Sequence, residues 1–435
     1  MSDLRIVNAT GRAGARLLAR LERRGDGVLD PKVLQQTERI LKSVKTKGDR
    51  GLLAAVRRFD GVSASKIDQL RMVPQRTDRR QLPPGFEHAL ERAIVAVERY
   101  HEEQVHGGAR LQHGGVELVE TRHPLRRVGV YIPGGRATYP SSVVMTVVPA
   151  KLAGVEEIVV TTPMGGFQRS AALRHTLERL GVTEVWAAGG AHAVGALAYG
   201  TESIRRVDKI VGPGNAWVTA AKYLVSSHVA IDGLAGPSEV VIGASGDDVN
   251  PAWLAADLLA QAEHDPLAMS VLVTDRARTA KAVRREVKLQ LRSLPTAKVA
   301  RASLAGQGAA VVVPDMEVGL HWIEKLAPEH LQLVGAEAEA LADRVRNAGA
   351  TFVGAHSPVA FGDYLAGPSH VLPTGGHARF SSSLGVEDFV RRSHIVRFGE
   401  GAASRSAKPV SILADVEGLP AHARAARFRV SEGDA

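Results

Sequence analysis

The sequence contains no cysteine, few aromatic residues and no long apolar run. The missing thiols exclude disulfides, thiolate nucleophiles and cysteine-based zinc sites, so any bound metal must be held by histidine, carboxylate or amide groups. No stretch of about 18 uncharged apolar residues occurs, and the N-terminus lacks the basic-then-apolar pattern of a signal peptide. We therefore expect a cytoplasmic protein that has no contact with a membrane.

The net charge of +9 raises the question of a nucleic-acid partner. The arginines are scattered over helix-like segments such as 276–294, where a solvated face is the usual explanation. Aromatic residues, at 4%, are too few for the stacking surfaces of single-strand binders. We expect no nucleic-acid binding; a strongly salt-dependent affinity for DNA or RNA would indicate the opposite.

At 435 residues, with 45% hydrophobic residues, the chain is long enough for more than one domain. From about residue 126, short β-branched runs alternate with longer amphipathic segments rich in Ala and Leu. Continuous apolar strands separated by helices indicate parallel sheets covered on both faces, the arrangement of a doubly wound α/β protein. The strand-like runs are 128–132, 157–162, 184–189, 209–212, 229–231, 239–244, 270–275, 309–314 and 351–355.

The two ends of the chain differ from this middle part. Segments 32–61 and 85–104 have helical periodicity with no strand between them, and the last fifty residues follow the Gly- and Ser-rich stretch 372–385. We expect two doubly wound, incomplete Rossmann-like domains with small helical N-terminal and C-terminal units.

Three loops between strands and helices are rich in glycine: 131–142, 188–195 and 212–217. Backbone amides at helix starts suit a pyrophosphate. None of these loops is a G-x-G-x-x-G motif, and the sequence has no phosphate-binding G-x-x-x-x-G-K-[ST]. Singly, each glycine pair is more typical of a tight turn, whereas three in succession on one sheet favour a cofactor site.

A metal site is a second candidate, in the segment 260–266. Gln261 and His264 are three residues apart and share a helix face, although His264 could simply lie at the negative end of the helix dipole. Nitrogen and oxygen ligands suit zinc, or manganese and similar ions. Further ligands are available in two other segments: Asp363, His370, Glu417 and His422.

The stretch 326-LAPEHLQLV-334 sets a carboxylate beside an imidazole. Pro328 ends the preceding helix and 330–334 has strand character, so Glu329 and His330 should lie on a helix-to-strand connection. A capping role for Glu329 is then less natural, because no helix follows it. An adjacent carboxylate and imidazole can transfer a proton and activate a water if both face a cleft.

Together, and in this order, these segments resemble the histidinol dehydrogenase family. Seven motifs at consistent spacing carry the resemblance over about residues 128 to 425, and KGDRGLLAAVRRFDG extends it more weakly towards the N-terminus. Such a set is far more specific than any one motif alone. The seven motifs are VGVYIPGG, VDKIVGPGNAWVTAAK, IDGLAGPSEV, AQAEHDP, LAPEHL, FGDYLAGPSHVLPTGG and EGLPAHARA.

The resemblance implies a four-electron oxidation of L-histidinol to L-histidine, through enzyme-held L-histidinaldehyde, as the last step of histidine biosynthesis. It further implies two NAD per reaction, one zinc ion (Zn2+) per subunit and an intertwined homodimer with shared active sites. The implied division of the chain comprises an N-terminal arm, a large α/β domain with the zinc and acid/base residues, a Rossmann-like NAD-binding domain and a small C-terminal unit reaching the partner subunit. In that order, their residues are 1–25, 26–131 with 239–384, 132–238, and 385–435.

The resemblance also implies roles for individual residues. His330 would take the hydroxyl proton, and Glu329 would activate the water that hydrates the aldehyde. The implied zinc ligands are Gln261, His264, Asp363 and His422, the last from the other subunit together with Glu417. The implied substrate-binding residues are Ser238, Gln261, His264, Glu329, Asp363, Tyr364, His370, Glu417 and His422. The implied NAD contacts are Tyr131, His192 and Asn215.

Three positions depart from the family pattern. His192 and Ser369 replace a usual Gln and Asn, and Glu324 replaces another Asn; the first bears on NAD contacts. These departures leave open a related zinc- and NAD-dependent enzyme that oxidises another polar alcohol. An alternative of another class is a zinc hydrolase in which Glu329 activates water, but it would need neither the Gly-rich loops nor nicotinamide.

Overall fold

The computed structural model describes residues 4–27, 29–74, 77–134 and 138–430. The strands in these ranges are β1 (Arg5–Asn8), β2 (Arg71–Met72), β3 (Arg110–His113), β4 (Val116–Pro124), β5 (Arg127–Tyr131), β6 (Glu157–Thr162), β7 (Glu184–Ala187), β8 (Lys209–Val211), β9 (Ala230–Ile231), β10 (Glu239–Ala244), β11 (Met269–Thr274), β12 (Ala309–Val312), β13 (His330–Val334), β14 (Ala350–Val353) and β15 (Val390–Phe398). The α-helices are α1 (Arg12–Glu22), α2 (Pro31–Lys47), α3 (Asp49–Ala55), α4 (Phe86–Glu102), α5 (Pro140–Leu152), α6 (Met164–Arg169), α7 (Ala171–Arg179), α8 (Gly190–Tyr199), α9 (Ala216–Val225), α10 (Pro251–Ala262), α11 (Ala277–Gln290), α12 (Ala297–Gln307), α13 (Met316–Leu326), α14 (Ala336–Glu339), α15 (Val359–Tyr364), α16 (Glu400–Val416) and α17 (Pro420–Arg427). Among them, no helix is both long and apolar enough to cross a membrane.

The first sheet contains six parallel strands in the order β1-β12-β11-β10-β13-β14. Successive residues of β10 enter different cores: Val240 and Ile242 pack with α10, α11 and α12, whereas Val241 packs with α1 and α13. Helices therefore cover both faces, which explains why the central strands are apolar along their whole length.

The second sheet has the order β2-β7-β6-β5-β8-β9, in which only the short β2 runs antiparallel to its neighbour. Val128 and Val130 of β5 share a core with α4, α5 and α7, and Tyr131 shares the opposite core with α2, α8 and α9. Two doubly wound parallel sheets are thus present, and the predicted fold class is confirmed.

Each of the nine runs predicted as strands overlaps one of the strands β5 to β12 and β14. The prediction missed the short strands β1 and β2 near the N-terminus. It also missed β3, β4 and β15, which form a separate antiparallel sheet in the order β15-β4-β3. Their residues are mostly exposed or half-buried and carry many charges. The apolar runs that reveal a buried strand are therefore missing from this sheet, and the C-terminal unit is not purely helical as predicted.

Two segments are grouped differently from the predicted division of the chain. Residues 1–25 include β1, which pairs with β12, and α1, which packs on α13, so this stretch belongs to the first sheet and its helical layer. Within 26–131, helices α2 and α4 pack on α8 and α5 of the second sheet, and β5 is one of its central strands. An amphipathic helix buries its apolar face equally well on either sheet, which is why its pattern alone does not assign it.

The end of the C-terminal unit exposes large apolar side chains. Helices α16 and α17 pack on each other, yet Leu413 is 66%, Val416 82% and Phe428 72% exposed. Several large apolar side chains exposed on one packed helix pair favour a site of interaction with another protein.

Candidate active site

The candidate catalytic residues lie at the amino-terminal edge of the first sheet, where β10, β11 and β13 begin. Ser238 immediately precedes β10, and His330 is the first residue of β13. In the parallel register Val240 pairs with His330, which brings Glu239 beside Glu329. Ligands of doubly wound sheets normally bind at the carboxyl ends of the strands, and this candidate site departs from that rule.

Glu329 and His330 lie on the connection between α13 and β13, as the sequence predicted. Helix α13 ends at Leu326, and the next residue, Ala327, adopts a left-handed conformation with φ of 42°. In a residue other than glycine this backbone costs about 1–3 kcal/mol. Pro328 follows, and the chain then enters the sheet with Glu329 and His330 both buried.

The imidazole of His330 is held at both nitrogens. Nδ1 lies 3.0 Å from the backbone oxygen of Glu239 and donates its proton there, because a carbonyl oxygen only accepts. The same nitrogen is 3.5 Å from Oε2 of Glu329. Nε2 lies 3.7 Å from Oδ1 of Asp363. In the neutral imidazole Nε2 therefore carries the lone pair, on the side of Asp363.

Carboxylates dominate the electrostatics of His330. Burial alone would lower the pKa of its imidazole, but the negative charges of Glu329 and Asp363 and the hydrogen bond to Glu239 outweigh burial and raise the pKa to about 9. A cation bound to Asp363 would remove one of these causes.

The two carboxylate oxygens of Glu329 differ in their hydrogen bonding to the described residues. Oε2 accepts a hydrogen bond of 2.8 Å from the amide of Glu239, and Oε1 has no hydrogen bond to any described residue. A carboxylate fixed at one oxygen in this way can offer the other to a water molecule, as the proposed hydration step requires.

His370 and Asp363 occupy neighbouring positions beside this pair. Nδ1 of His370 donates to the backbone oxygen of Asp363 at 3.0 Å, and Nε2 is 3.2 Å from the hydroxyl of Ser142. Burial lowers the pKa of His370, and the nearby charges of His330 and His264 lower it further, against the opposing effect of Asp363. The imidazole is therefore neutral at pH 7, and its electrostatic neighbours bring His264 into the same cluster.

Gln261 and His264 do not share a helix face as predicted, because the helix ends between them. Helix α10 ends at Ala262, and the amide of His264 donates to the carbonyl of Gln261 at 3.3 Å in the turn that follows. Gln261 is buried at 3% exposure, yet its side-chain amide makes no hydrogen bond to a described residue. The amide atoms are not among the fully buried, unpaired atoms of the described residues, so this amide is accessible to a ligand from outside the chain.

Glu417 and His422 are not brought to this cluster within one chain. Both are exposed near the junction of α16 and α17. In the described part of the chain, no three His, Asp or Glu side chains are arranged to hold a metal ion. The remaining predicted residues, Ser238 and Tyr364, are half-buried and 58% exposed respectively.

The Gly-rich loops lie at the carboxyl edge of the second sheet, after β5, β7 and β8. Helices α5 and α8 begin there without a capping side chain on the preceding residue. First-turn amides other than that of Gly190, which donates to Tyr131, are open to an anion. Residues 135–137 of the first loop lie outside the described residues. At α5 this edge meets the candidate active site, because Ser142 contacts His370.

Two of the predicted NAD contacts, Tyr131 and His192, are hydrogen bonded to other groups of the protein at this edge. The hydroxyl of Tyr131 accepts from the amide of Gly190 at 3.1 Å, and burial raises its pKa to about 12. Nε2 of the buried His192 is 3.0 Å from Oδ2 of Asp60, which also accepts from the amide of Gly189 at 2.9 Å. Both side chains therefore brace the second loop.

Asn215, the third predicted NAD contact, caps α9. Its Oδ1 accepts from the amides of Trp217 and Val218 at 3.0 and 3.2 Å. The side chain is exposed, so its amide nitrogen remains accessible. Asp60 and Glu239 were not singled out from the sequence. Glu239 could have been found because it is a charged residue at the start of an otherwise apolar strand.

Comparison with known proteins gives a consistent result. A sequence model of the histidinol dehydrogenase family matches residues 24–430. The histidinol dehydrogenases of Acinetobacter baylyi and Geobacillus kaustophilus are 42% and 44% identical over 405 and 400 residues, covering 92% and 91% of this chain and 94% and 93% of theirs. The crystal structure of histidinol dehydrogenase from Elizabethkingia anophelis has a TM-score of 0.89 at 29% identity and covers 100% of this chain and 99% of that one.

The raised pKa of His330 can be tested in the metal-free protein. With carbon-13-labelled histidine, its ring resonance should titrate at about pH 9, against about 6.5 for an ordinary histidine. Because the folded-state pKa is raised, the stabilisation from this group is complete below a pH of about 6.5 and is lost as the pH rises through the folded value. Glu329→Gln should lower the pKa, and His330→Gln assigns the signal. Titration of the wild-type signal at an ordinary pH would contradict the account.

Proposed function

The chain belongs to the histidinol dehydrogenase family and is therefore an NAD-dependent oxidoreductase, and we propose that it oxidises L-histidinol to L-histidine. In this reaction, the last step of histidine biosynthesis, a primary alcohol and a water lose two hydrides and three protons and become a carboxylate. The observation that best supports it is the buried pair of Glu329 and His330, since two successive oxidations need a base and a means of hydrating an aldehyde.

Gln261, His264 and Asp363 would hold one zinc ion, with His422 contributed by a second subunit. The donors are an amide, imidazoles and a carboxylate, a set that zinc accepts. The side chain of Gln261 has no hydrogen-bond partner among the described residues, which fits a ligand role. One subunit supplies only two histidine or carboxylate ligands in this set, in agreement with the lack of a three-membered cluster among the described residues of a single chain. When bound, zinc would mainly orient the amino alcohol for reaction.

His330 is the base of both oxidations. Nδ1 is committed to the carbonyl of Glu239, so Nε2 takes the hydroxyl proton as the carbinol carbon gives up its hydride. Neutralisation of Asp363 by a bound cation would remove one cause of the raised pKa and make Nε2 a base closer to neutral pH. NAD supplies the hydride acceptor.

Glu329 serves the step between the two oxidations. Oε2 is fixed by the amide of Glu239, and Oε1 takes a proton from the water that adds to the bound L-histidinaldehyde. As the water adds, Nε2 of His330 returns its first proton to the aldehyde oxygen, and it then takes a proton from the resulting hydrate as the second hydride leaves. Ser238, Tyr364 and His370 would line the substrate pocket, where the neutral His370 can hydrogen bond to the substrate without adding charge.

NAD would bind at the carboxyl edge of the second sheet, next to Tyr131, His192 and Asn215. The uncapped first turns of α5 and α8 suit its pyrophosphate. The contact between Ser142 and His370 makes this edge adjoin the substrate site, as hydride transfer requires. At the family's usual glutamine position, His192 would act indirectly by holding the second loop through Asp60.

The C-terminal unit supports a homodimer with shared active sites. Its exposed apolar side chains need a cover, and Glu417 and His422 lie beside them at the junction of α16 and α17. A partner subunit that buries this surface could receive Glu417 and His422 into its own zinc and substrate site. The isologous contact of a twofold dimer would make the exchange mutual.

The proposed reaction is tested by its stoichiometry. Zinc-loaded protein with excess NAD and a limiting, known quantity of L-histidinol should yield two NADH per histidinol. His330→Ala should abolish NADH formation while zinc content stays unchanged. A single NADH would mean that oxidation stops at the aldehyde. No NADH from folded, zinc-bound protein would contradict the proposal and favour another alcohol or a hydrolase.

The shared site is tested by complementation between inactive variants. His264→Ala and His422→Ala should each lose zinc and most activity when pure. After unfolding together and refolding in equal amounts, half of the dimers are mixed and each has one intact site, so about a quarter of wild-type activity should return. Mixing His264→Ala with Asp363→Ala, whose defects lie in the same site, should restore none. Equal recovery in both mixtures, or in neither, would contradict sharing.

A further inference from the structure

Glu239 is a charged residue in a place that disfavours charge. It opens the apolar strand β10 and is only 3% exposed. A buried carboxylate is unfavourable unless it is paired and hydrogen bonded. Its contacts therefore identify the groups that stabilise its charge and the groups that it holds in place.

The partner of Glu239 is Arg24, which follows α1 and whose side chain is 6% exposed. Nε and Nη2 of the guanidinium donate to the two carboxylate oxygens at 2.6 Å each. Nη2 also donates to the carbonyl of Leu326 at 2.7 Å, and Nη1 to that of Leu21 at 2.9 Å. Leu326 is the last residue of α13, so Arg24 also holds the helix end that leads into the catalytic connection.

Glu239 is bonded to both proposed catalytic residues. Its Oε2 accepts from the amide of Glu329 at 3.3 Å, and its own amide donates to the carboxylate of Glu329 at 2.8 Å. Its carbonyl accepts from Nδ1 of His330 at 3.0 Å. One residue thus fixes the direction of the carboxylate and the tautomer of the imidazole.

The same carboxylate reaches the loop of residues 371–376, which follows the proposed substrate-binding residue His370 and is here called the substrate loop. Oε1 accepts from the amide of Gly375 at 2.8 Å. Beside it, the hydroxyl of Thr374 accepts from the amide of Gly236 at 2.5 Å, close to Ser238. Residue 25 must be glycine for this approach, because a Cβ there would lie 2.5 Å from the carbonyl oxygen of Gly375.

We propose that Glu239, clamped by Arg24, is a positioning residue for the oxidation, which holds Glu329 and His330 in register with the substrate loop. The inference rests on the proposed acid/base roles of those two residues. It differs from a purely structural ion pair because three hydrogen bonds of Glu239, one from its carboxylate and two from its backbone, end on the proposed catalytic residues themselves. A small displacement of such groups lowers turnover by about 100-fold without weakening substrate binding.

The test compares two buried arginines. Arg24→Lys keeps the charge but loses the bidentate clamp. Arg127→Lys keeps the charge but loses the planar guanidinium that bridges Glu157 and Glu184 at the amino edge of the second sheet. Both variants should have lower melting temperatures. At an assay temperature well below both melting temperatures, Arg24→Lys should reduce kcat by about 10- to 100-fold, with KM for L-histidinol and zinc content unchanged. Arg127→Lys should keep wild-type kcat under the same conditions. Glu239→Gln should behave as Arg24→Lys does.

A second readout does not depend on the reaction. In metal-free wild type, the Nδ1 proton of His330 should give a downfield proton resonance that exchanges slowly with solvent, and Arg24→Lys should broaden or shift it while Arg127→Lys leaves it unchanged. Equal kcat in the two variants, or an unaltered His330 resonance in Arg24→Lys, would overturn the positioning role. If wild type produces no NADH from L-histidinol, the proposed function fails, and the resonance alone decides the positioning role.

Discussion

A buried ion pair at the start of β10 is the constraint on which the active site depends. The bidentate bonds between Arg24 and Glu239 offset the desolvation of both charges. The ion pair fixes Glu239, whose carboxylate oxygens anchor the amides of Glu329 and Gly375 and whose backbone amide and carbonyl anchor the side chains of Glu329 and His330. Segments far apart in sequence thereby meet in one geometry that no local helix or strand preference would produce.

The two sheets present opposite edges to each other, which divides the chemistry between them. The carboxyl edge of the second sheet offers helix N-termini, whose amides suit the phosphates of a dinucleotide. The amino edge of the first sheet offers side chains that open or precede strands, among them Ser238, Glu239 and His330. Proton transfer needs such side chains, and the contact between Ser142 and His370 joins the two edges.

Much of the fold could be predicted from sequence, because strands buried on both faces are apolar throughout. The sheet of β3, β4 and β15 could not, since its charged, exposed strands carry no such signal. The connection bearing Glu329 and His330 was predictable from Pro328 and the apolar run after it. The ties from Arg24 to Glu239 and from Asp60 to His192 join residues more than a hundred positions apart, and no local pattern reports them.

The most direct test is a crystal structure of the zinc-loaded protein with NAD and an unreactive histidinol analogue, with anomalous scattering recorded at the zinc edge. Our account predicts zinc bound by Gln261, His264 and Asp363 of one chain and by His422 of the second. The reacting carbon should lie between Nε2 of His330 and the nicotinamide ring. Zinc bound elsewhere, or a nicotinamide far from His330, would contradict an active site built between these two sheet edges.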